Sequence, residues 1–233
     1  GVLVEETGNQ LAVTSAPAVI CYTDVFWRNA CKYQAREYRH SFWDCGTILA
    51  NTLAVSSASE ISAQVVMGFV DGAVNDLLGL DTLKEVSLAL VPLGYAPEAV
   101  IGPAPDFGPL SLETVPISDH EIDFPPVREM HEASSLGDVD EVMAWRSASS
   151  TKELRRPSGR LTPLDPYPED EMSHDPIEQV IRRRGSTRQF RRDSISFRQL
   201  STILQRSTEG IPADFVGPSD GTLNDIYLIV FNL

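Results

Sequence analysis

Arg184-Gly185-Ser186-Thr187-Arg188-Gln189-Phe190 sets two arginines four positions apart around a serine. Further on comes Pro218-Ser219-Asp220-Gly221-Thr222-Leu223, followed by the apolar run Ile226-Tyr227-Leu228-Ile229-Val230-Phe231. Planar guanidinium forks suit phosphate oxygens. Small turn residues let the backbone approach a flat ring closely. The run from Ile226 reads as a buried strand. The combination suits a flat, phosphorylated, anionic ligand. A plainer reading stands beside it. Arginines at a helix C-terminus complement its dipole, with Gly185 as the residue after the cap, and Ser219 and Gly221 make any tight turn.

Working outward, the 233 residues are 42% hydrophobic, ordinary for a globular protein of one or two domains. The net charge of −14 argues against nucleic acid or an anionic membrane as partner, since both repel an acidic surface. Much of the acid lies between Asp106 and Asp175, whereas Lys32, Arg36 and Arg39 form one basic island and Arg182 to Arg192 another. Local anion sites are therefore compatible with the overall charge. Cys21, Cys31 and Cys45 are odd in number and lack a C-x-x-C pair, so no disulfide framework is expected and the reducing cytoplasm is the expected compartment. His40, His120, His131 and His174 show no metal-ligand spacing, and no metal is expected. No apolar run approaches the roughly 20 residues of a membrane span.

Three zones differ in composition. Residues 1–100 alternate strand and helix signals. Ala18 to Tyr22 reads as a strand, Trp27 to Trp43 as a polar, aromatic-rich segment, Asp44 to Glu60 as a helix, Val65 to Phe69 as a short strand and Val86 to Leu93 as another. Asp71 is the expected N-cap of a helix reaching Leu78. Lys32, Arg36 and Arg39 share one face if that stretch is helical. Residues 101–175 are acidic and rich in proline, which forbids long regular elements. They read as a linker with one short helix near Val139 to Trp145. Residues 176–233 open on Pro176 at a helix start, with the stripe Ile177, Val180 and Ile181. Ser196 and Gln199 then form a capping-box pattern before the helical face Leu200, Ile203 and Leu204.

The R-x-S-x-R-x-F run and the P-S-x-G-x-L strand entry resemble the opening part of the nitroreductase-like FMN flavoproteins, in particular the azoline (thiazole/oxazole) dehydrogenase branch. Residues 1–100 resemble the later half of the same family: Lys32-Tyr33-x-x-Arg36-x-Tyr38-Arg39, then Asp44-x-Gly46, then Val66-Met67-Gly68-Phe69-x-Asp71 and Leu78-Gly79-Leu80-Asp81. The resemblance implies an α+β, nitroreductase-like fold. It further implies the C-terminal half of one such domain in residues 1–100, an acidic linker in 101–175 and the N-terminal part of a second domain in 176–233. The expectation is thus a tandem protein of which this chain is a stretch, with dimer-like pairing of its domains.

By the same resemblance the cofactor is FMN. Arg184, Ser186 and Arg188 would meet its phosphate and polar ring edge, Pro218, Ser219 and Gly221 its ring, and the backbone of Met67 and Gly68 its reactive edge. Asp220 departs from the small residue usual at its place. The implied activity is an oxidoreductase acting on a small molecule or peptide, with azoline oxidation as the specific case. The other reading is a non-catalytic scaffold half of a tandem flavoprotein. No catalytic acid or base stands out in the residues.

Overall fold

The computed structural model describes residues 1–96, 108–115, 118–149, 158–216 and 226–229. The chain forms two compact units. Unit 1 comprises residues 1–148 and 213–215, and unit 2 comprises 149–212 and 216–233.

Unit 1 begins with two short helices, α1 (Val2–Glu6) and α2 (Leu11–Thr14). Strand β1 (Ala18–Val25) then pairs antiparallel with β2 (Glu85–Leu93), from Ala18 opposite Leu93 to Val25 opposite Glu85, with an irregularity between Tyr22 and Thr23. The interior of β2 is buried throughout, which is why Val86 to Val91 reads as a nearly continuous apolar run. Helix α3 (Phe26–Tyr33) stops at Gln34, whose φ of 53° is left-handed. A 3-10 turn over Gln34–Arg36 leads into α4 (Glu37–Ala58). Lys32, Arg36 and Arg39 therefore do not share one helical face. Instead Lys32 lies over the Tyr33 ring and Arg39 over Trp43.

Two apolar clusters use β2. Phe26, Cys45, Leu49, Val86 and Leu88 belong to one, joined by Val65 and Val127. Val13, Val66, Phe69, Val74 and Leu90 form the other, with Leu3, Val4 and Leu78 against it. Helix α5 (Asp71–Leu78) ends at Gly79, where φ is +67° and an added Cβ would come within 1.9 Å of the Leu110 carbonyl oxygen. Only glycine meets both demands. Asp71 does not cap α5. It is the first helical residue, Val70 precedes it, and its carboxylate accepts the Leu136 N–H at 2.8 Å. Residues 65–69 likewise form isolated bridges rather than a strand: Val66 to Leu90, antiparallel, and Val65 to Ala213, parallel.

The proline-rich stretch contains more structure than a linker reading allows. Helix α6 (Pro125–Ser134) starts on two prolines, where the missing N–H costs nothing. Helix α7 (Val139–Ser149) follows. Val127 and Val142 are fully buried, so both helices are anchored in unit 1. The prolines limit helix length and also start one of the two helices.

In unit 2, α8 (Ile177–Arg183) follows Pro176, and its apolar stripe is not buried. Helix α9 (Phe197–Thr208) carries the capping box complete, with Ser196 accepting the Gln199 N–H and Gln199 returning a bond to the Ser196 N–H. Ser196→Ala is expected to destabilise α9 by about 1 kcal/mol. Helical circular dichroism against temperature checks this, and an unchanged melting profile would refute it. Ile226 to Ile229 form no strand. Val230 and Phe231, the end of that expected strand, lie outside the described residues.

Candidate functional site

The site grows from the Val65–Gly68 segment. Val66 is pinned to β2 by reciprocal backbone bonds with Leu90, both 2.9 Å. The chain then turns, and the next two N–H groups point together at one carboxylate. Met67 donates to Asp214 Oδ1 at 2.9 Å, and Gly68 donates to Asp214 Oδ2 at 3.0 Å. Asp214 arrives from far along the sequence, held by its own N–H to the Val65 carbonyl at 3.0 Å. Arg146 of α7 closes the group. Its Nη2 lies 3.3 Å from Asp214 Oδ2 and donates to the carbonyls of Gly68 and Thr7, both at 3.1 Å. The Asp214 side chain is wholly buried, and that of Arg146 is partly buried, 18% exposed. A buried carboxylate is tolerable only when paired and hydrogen-bonded, as here.

Gly68 permits this convergence. An added Cβ would lie 3.0 Å from Asp214 Oδ2, 3.1 Å from the Trp145 ring and 3.2 Å from Arg146 Nη2. Beside the turn is a cavity of about 260 Å³, lined in part by Tyr38, Met67, Asp71, His131 and Trp145. Burial pushes the Asp71 carboxyl up to about 6, although the Leu136 N–H opposes the shift. Burial lowers His131 and raises Tyr38, whose hydroxyl is hydrogen-bonded to Ser134. The cavity therefore offers a neutral imidazole, a phenol and a carboxyl that titrates near pH 6, between aromatic walls.

A second cavity, about 290 Å³, lies between Phe26, Trp27, Lys84 and Phe124. Its rim carries the surface ion pairs Lys84–Glu121 and Arg128–Asp123. It offers no buried donor pair comparable to Met67 and Gly68. Elsewhere in unit 1, Glu37 is completely buried beside Asp24, with Ser41 Oγ 2.7 Å from Asp24 Oδ2 and 3.2 Å from Glu37 Oε1. Burial, then the neighbouring Asp24 charge, push Glu37 up to about 7.

The expected site residues fall in both units. Met67 and Gly68 form the donor pair of unit 1. In unit 2, Arg184 caps α8, its N–H reaching the Val180 carbonyl at 2.9 Å, and Ser186 and Arg188 follow in exposed, irregular chain. Pro218, Ser219 and Gly221 lie outside the described residues. Asp214, Arg146, Tyr38, Asp71 and His131 were not singled out by the sequence as site residues. Asp71 and Tyr38 had a visible signal, as parts of the V-M-G-F-x-D and K-Y-x-x-R-x-Y-R runs.

Residues 2–95 match the nitroreductase family model. The match covers β1, α3, α4, the Met67–Gly68 turn, α5 and β2, and it agrees with the mixed helix and strand of unit 1. No curated protein and no solved structure matches the chain. Among the described residues, no helix is long and apolar enough to cross a membrane, and no acid, histidine or cysteine group is placed to hold a metal ion.

Nitroreductase family members typically bind flavin. One observation bears on whether the Met67–Gly68 turn suits that group. A carboxylate, an acceptor as the reactive edge of a flavin ring also is, sits on both N–H groups.

Proposed function

We propose that the chain serves an FMN-dependent oxidoreductase of the nitroreductase-like kind, with azoline rings in a peptide as its substrate class. The observation that supports this most is the paired N–H donation from Met67 and Gly68, beside an aromatic-walled cavity and inside the family-matched stretch. Bound FMN would supply the two-electron chemistry by accepting a hydride. The chain's own part is binding, orientation and proton handling. Met67 and Gly68 present donors to the ring's acceptor edge. By the resemblance, Arg184, Ser186 and Arg188 would meet the phosphate and polar ring edge of an FMN held by the second domain, with Pro218, Ser219 and Gly221 against its ring. Oxidising an azoline to an azole releases a proton along with the hydride. Asp71, ionised above about pH 6, and neutral His131 are the cavity's proton acceptors. The family's tandem, dimer-like pairing of domains belongs to the same proposal, as do a first domain half in 1–100 and a second opening at 176.

FMN fluorescence titration tests the reading. In the full-length protein, Arg184→Ala and Arg188→Ala should each weaken binding roughly ten- to a hundredfold, the worth of a charge-assisted hydrogen bond. Arg192→Ala should change little, as for most exposed charges. Arg188→Lys should recover only part, because an ammonium lacks the fork. Equal retention of flavin by all three alanine variants would reduce the R-x-S-x-R run to a helix terminus.

One observation favours a non-catalytic scaffold instead: the donor pair is filled by the chain's own Asp214. Flavin absorbance in the purified protein together with substrate turnover supports the enzyme. Flavin without turnover supports the scaffold.

A further inference from the structure

We propose that Ala213–Phe215 is a latch that fills the Met67–Gly68 donor site in cis, so that flavin and Asp214 compete for the same two N–H groups. This rests on the flavin reading above. The latch itself is built from geometry alone. Only residues 213–215 of the surrounding segment belong to unit 1, while the chain on either side belongs to unit 2. These three residues dock like a minimal added strand. Ala213 bridges Val65 in parallel, and the Asp214 N–H reaches the Val65 carbonyl at 3.0 Å. Ala213 is buried in the first apolar cluster, and Phe215 packs partly against it.

The side chain between them matches the donor site. Its two carboxylate oxygens take one N–H each, at 2.9 and 3.0 Å, and Arg146 balances the charge. A ligand edge carrying acceptor atoms makes the same bonds, so both cannot be seated at once. The attachment is short: one backbone bond, the Asp214 carboxylate with its two N–H groups and Arg146, buried Ala213 and one half-buried ring. Such a segment can leave without unravelling β1, β2 or α4, none of which it completes. An anionic ligand would meet Arg146 once Asp214 has gone, so the charge left by the latch has a new partner.

The test uses the full chain and its Asp214→Ala variant, with FMN affinity read by fluorescence quenching and amide hydrogen exchange read at Met67 and Gly68. Asp214→Asn and Phe215→Ala serve as further variants, and circular dichroism verifies that each is folded. Asp214→Ala should expose both amides to exchange and bind FMN at least tenfold more tightly than the unaltered chain. Asp214→Asn, which keeps one acceptor oxygen, should fall between. A synthetic peptide with the sequence of residues 210–216, added to Asp214→Ala, should weaken FMN binding again. The latch is overturned if FMN binds the folded variants and the unaltered chain equally, or if the two amides stay protected without Asp214. In those cases measurable FMN binding leaves the flavin reading intact. If the amides open and no form binds FMN, the flavin reading fails and competition with flavin fails with it.

Discussion

Glu37→Gln is expected to remove a large share of the pH dependence of unit 1's stability between about pH 4.5 and 7, and to make the protein more stable at pH 8. Glu37 is fully buried, and its carboxyl is raised from 4.5 to about 7, first by burial and then by the charge of Asp24. Asp44 adds to the effect, while bonds from Ser41 and Asn29 oppose it. The folded state therefore holds a proton that the unfolded chain has already lost. Stability falls wherever the native state binds more protons than the unfolded one. The contribution is complete below the unfolded value near 4.5, declines through the window and is gone above about 7. With a discount for solvent screening around this cluster, the loss is about 2–3 kcal/mol. Asp24 and Asp71 are raised too, so they tilt the curve the same way. Asp123 and Asp175 are lowered by Arg128 and Arg183 and tilt it the other way, but they are fully exposed. Glutamine keeps an acceptor for Ser41 and carries no proton to lose. Urea midpoints at pH 5 and pH 8 for both proteins decide the matter. An equal gap between the two pH values in variant and parent would rule Glu37 out as the source.

The elements that the sequence made legible are those governed by local rules. β1 and β2 follow from apolar runs, the body of α4 from its periodicity, and the start of α9 from Ser196 and Gln199 alone. What escaped depends on distant partners. Asp214 lies 147 positions from Met67, and no spacing rule links a lone aspartate to two backbone N–H groups. Glu37 reads as a surface acid because charged residues rarely go inside. It is buried beside Asp24 of β1, at the start of a helix that the break at Gln34 separates from α3. That same break separates Lys32 from Arg36 and Arg39. Asp71 has the right type for a cap and almost the right position, but Leu136 supplies a competing N–H that only the fold brings near. The proline count was informative about where helices cannot run. It was silent on Pro125 and Pro126 as starters, because a buried Val127 decides that a helix forms there. For the site, Met67 and Gly68 were readable as a backbone position, whereas the carboxylate seated on them was not.

Arg146→Ala should cost unit 1 about 3 kcal/mol, the usual penalty for leaving one member of a buried ion pair without the other. Asp214 would keep its two N–H bonds and lose its counter-charge, while the carbonyls of Thr7 and Gly68 would lose a shared donor. The penalty has a ceiling, because Ala213–Phe215 can leave and rehydrate the carboxylate. A loss near zero would therefore mean that the segment is already undocked in solution. Arg146→Lys should recover part of the loss, since a shorter ammonium keeps the charge but not the full reach. The decisive variant is the double one, Arg146→Ala with Asp214→Ala. Residues in one buried network are not additive. With no charge left behind, the pair should be markedly less destabilised than the sum of the two single changes. Urea unfolding of the four proteins, followed by circular dichroism, gives the coupling directly. Strict additivity would show that Arg146 acts through the Thr7 and Gly68 carbonyls alone, and that Asp214 owes its place to the two N–H groups without help from the guanidinium.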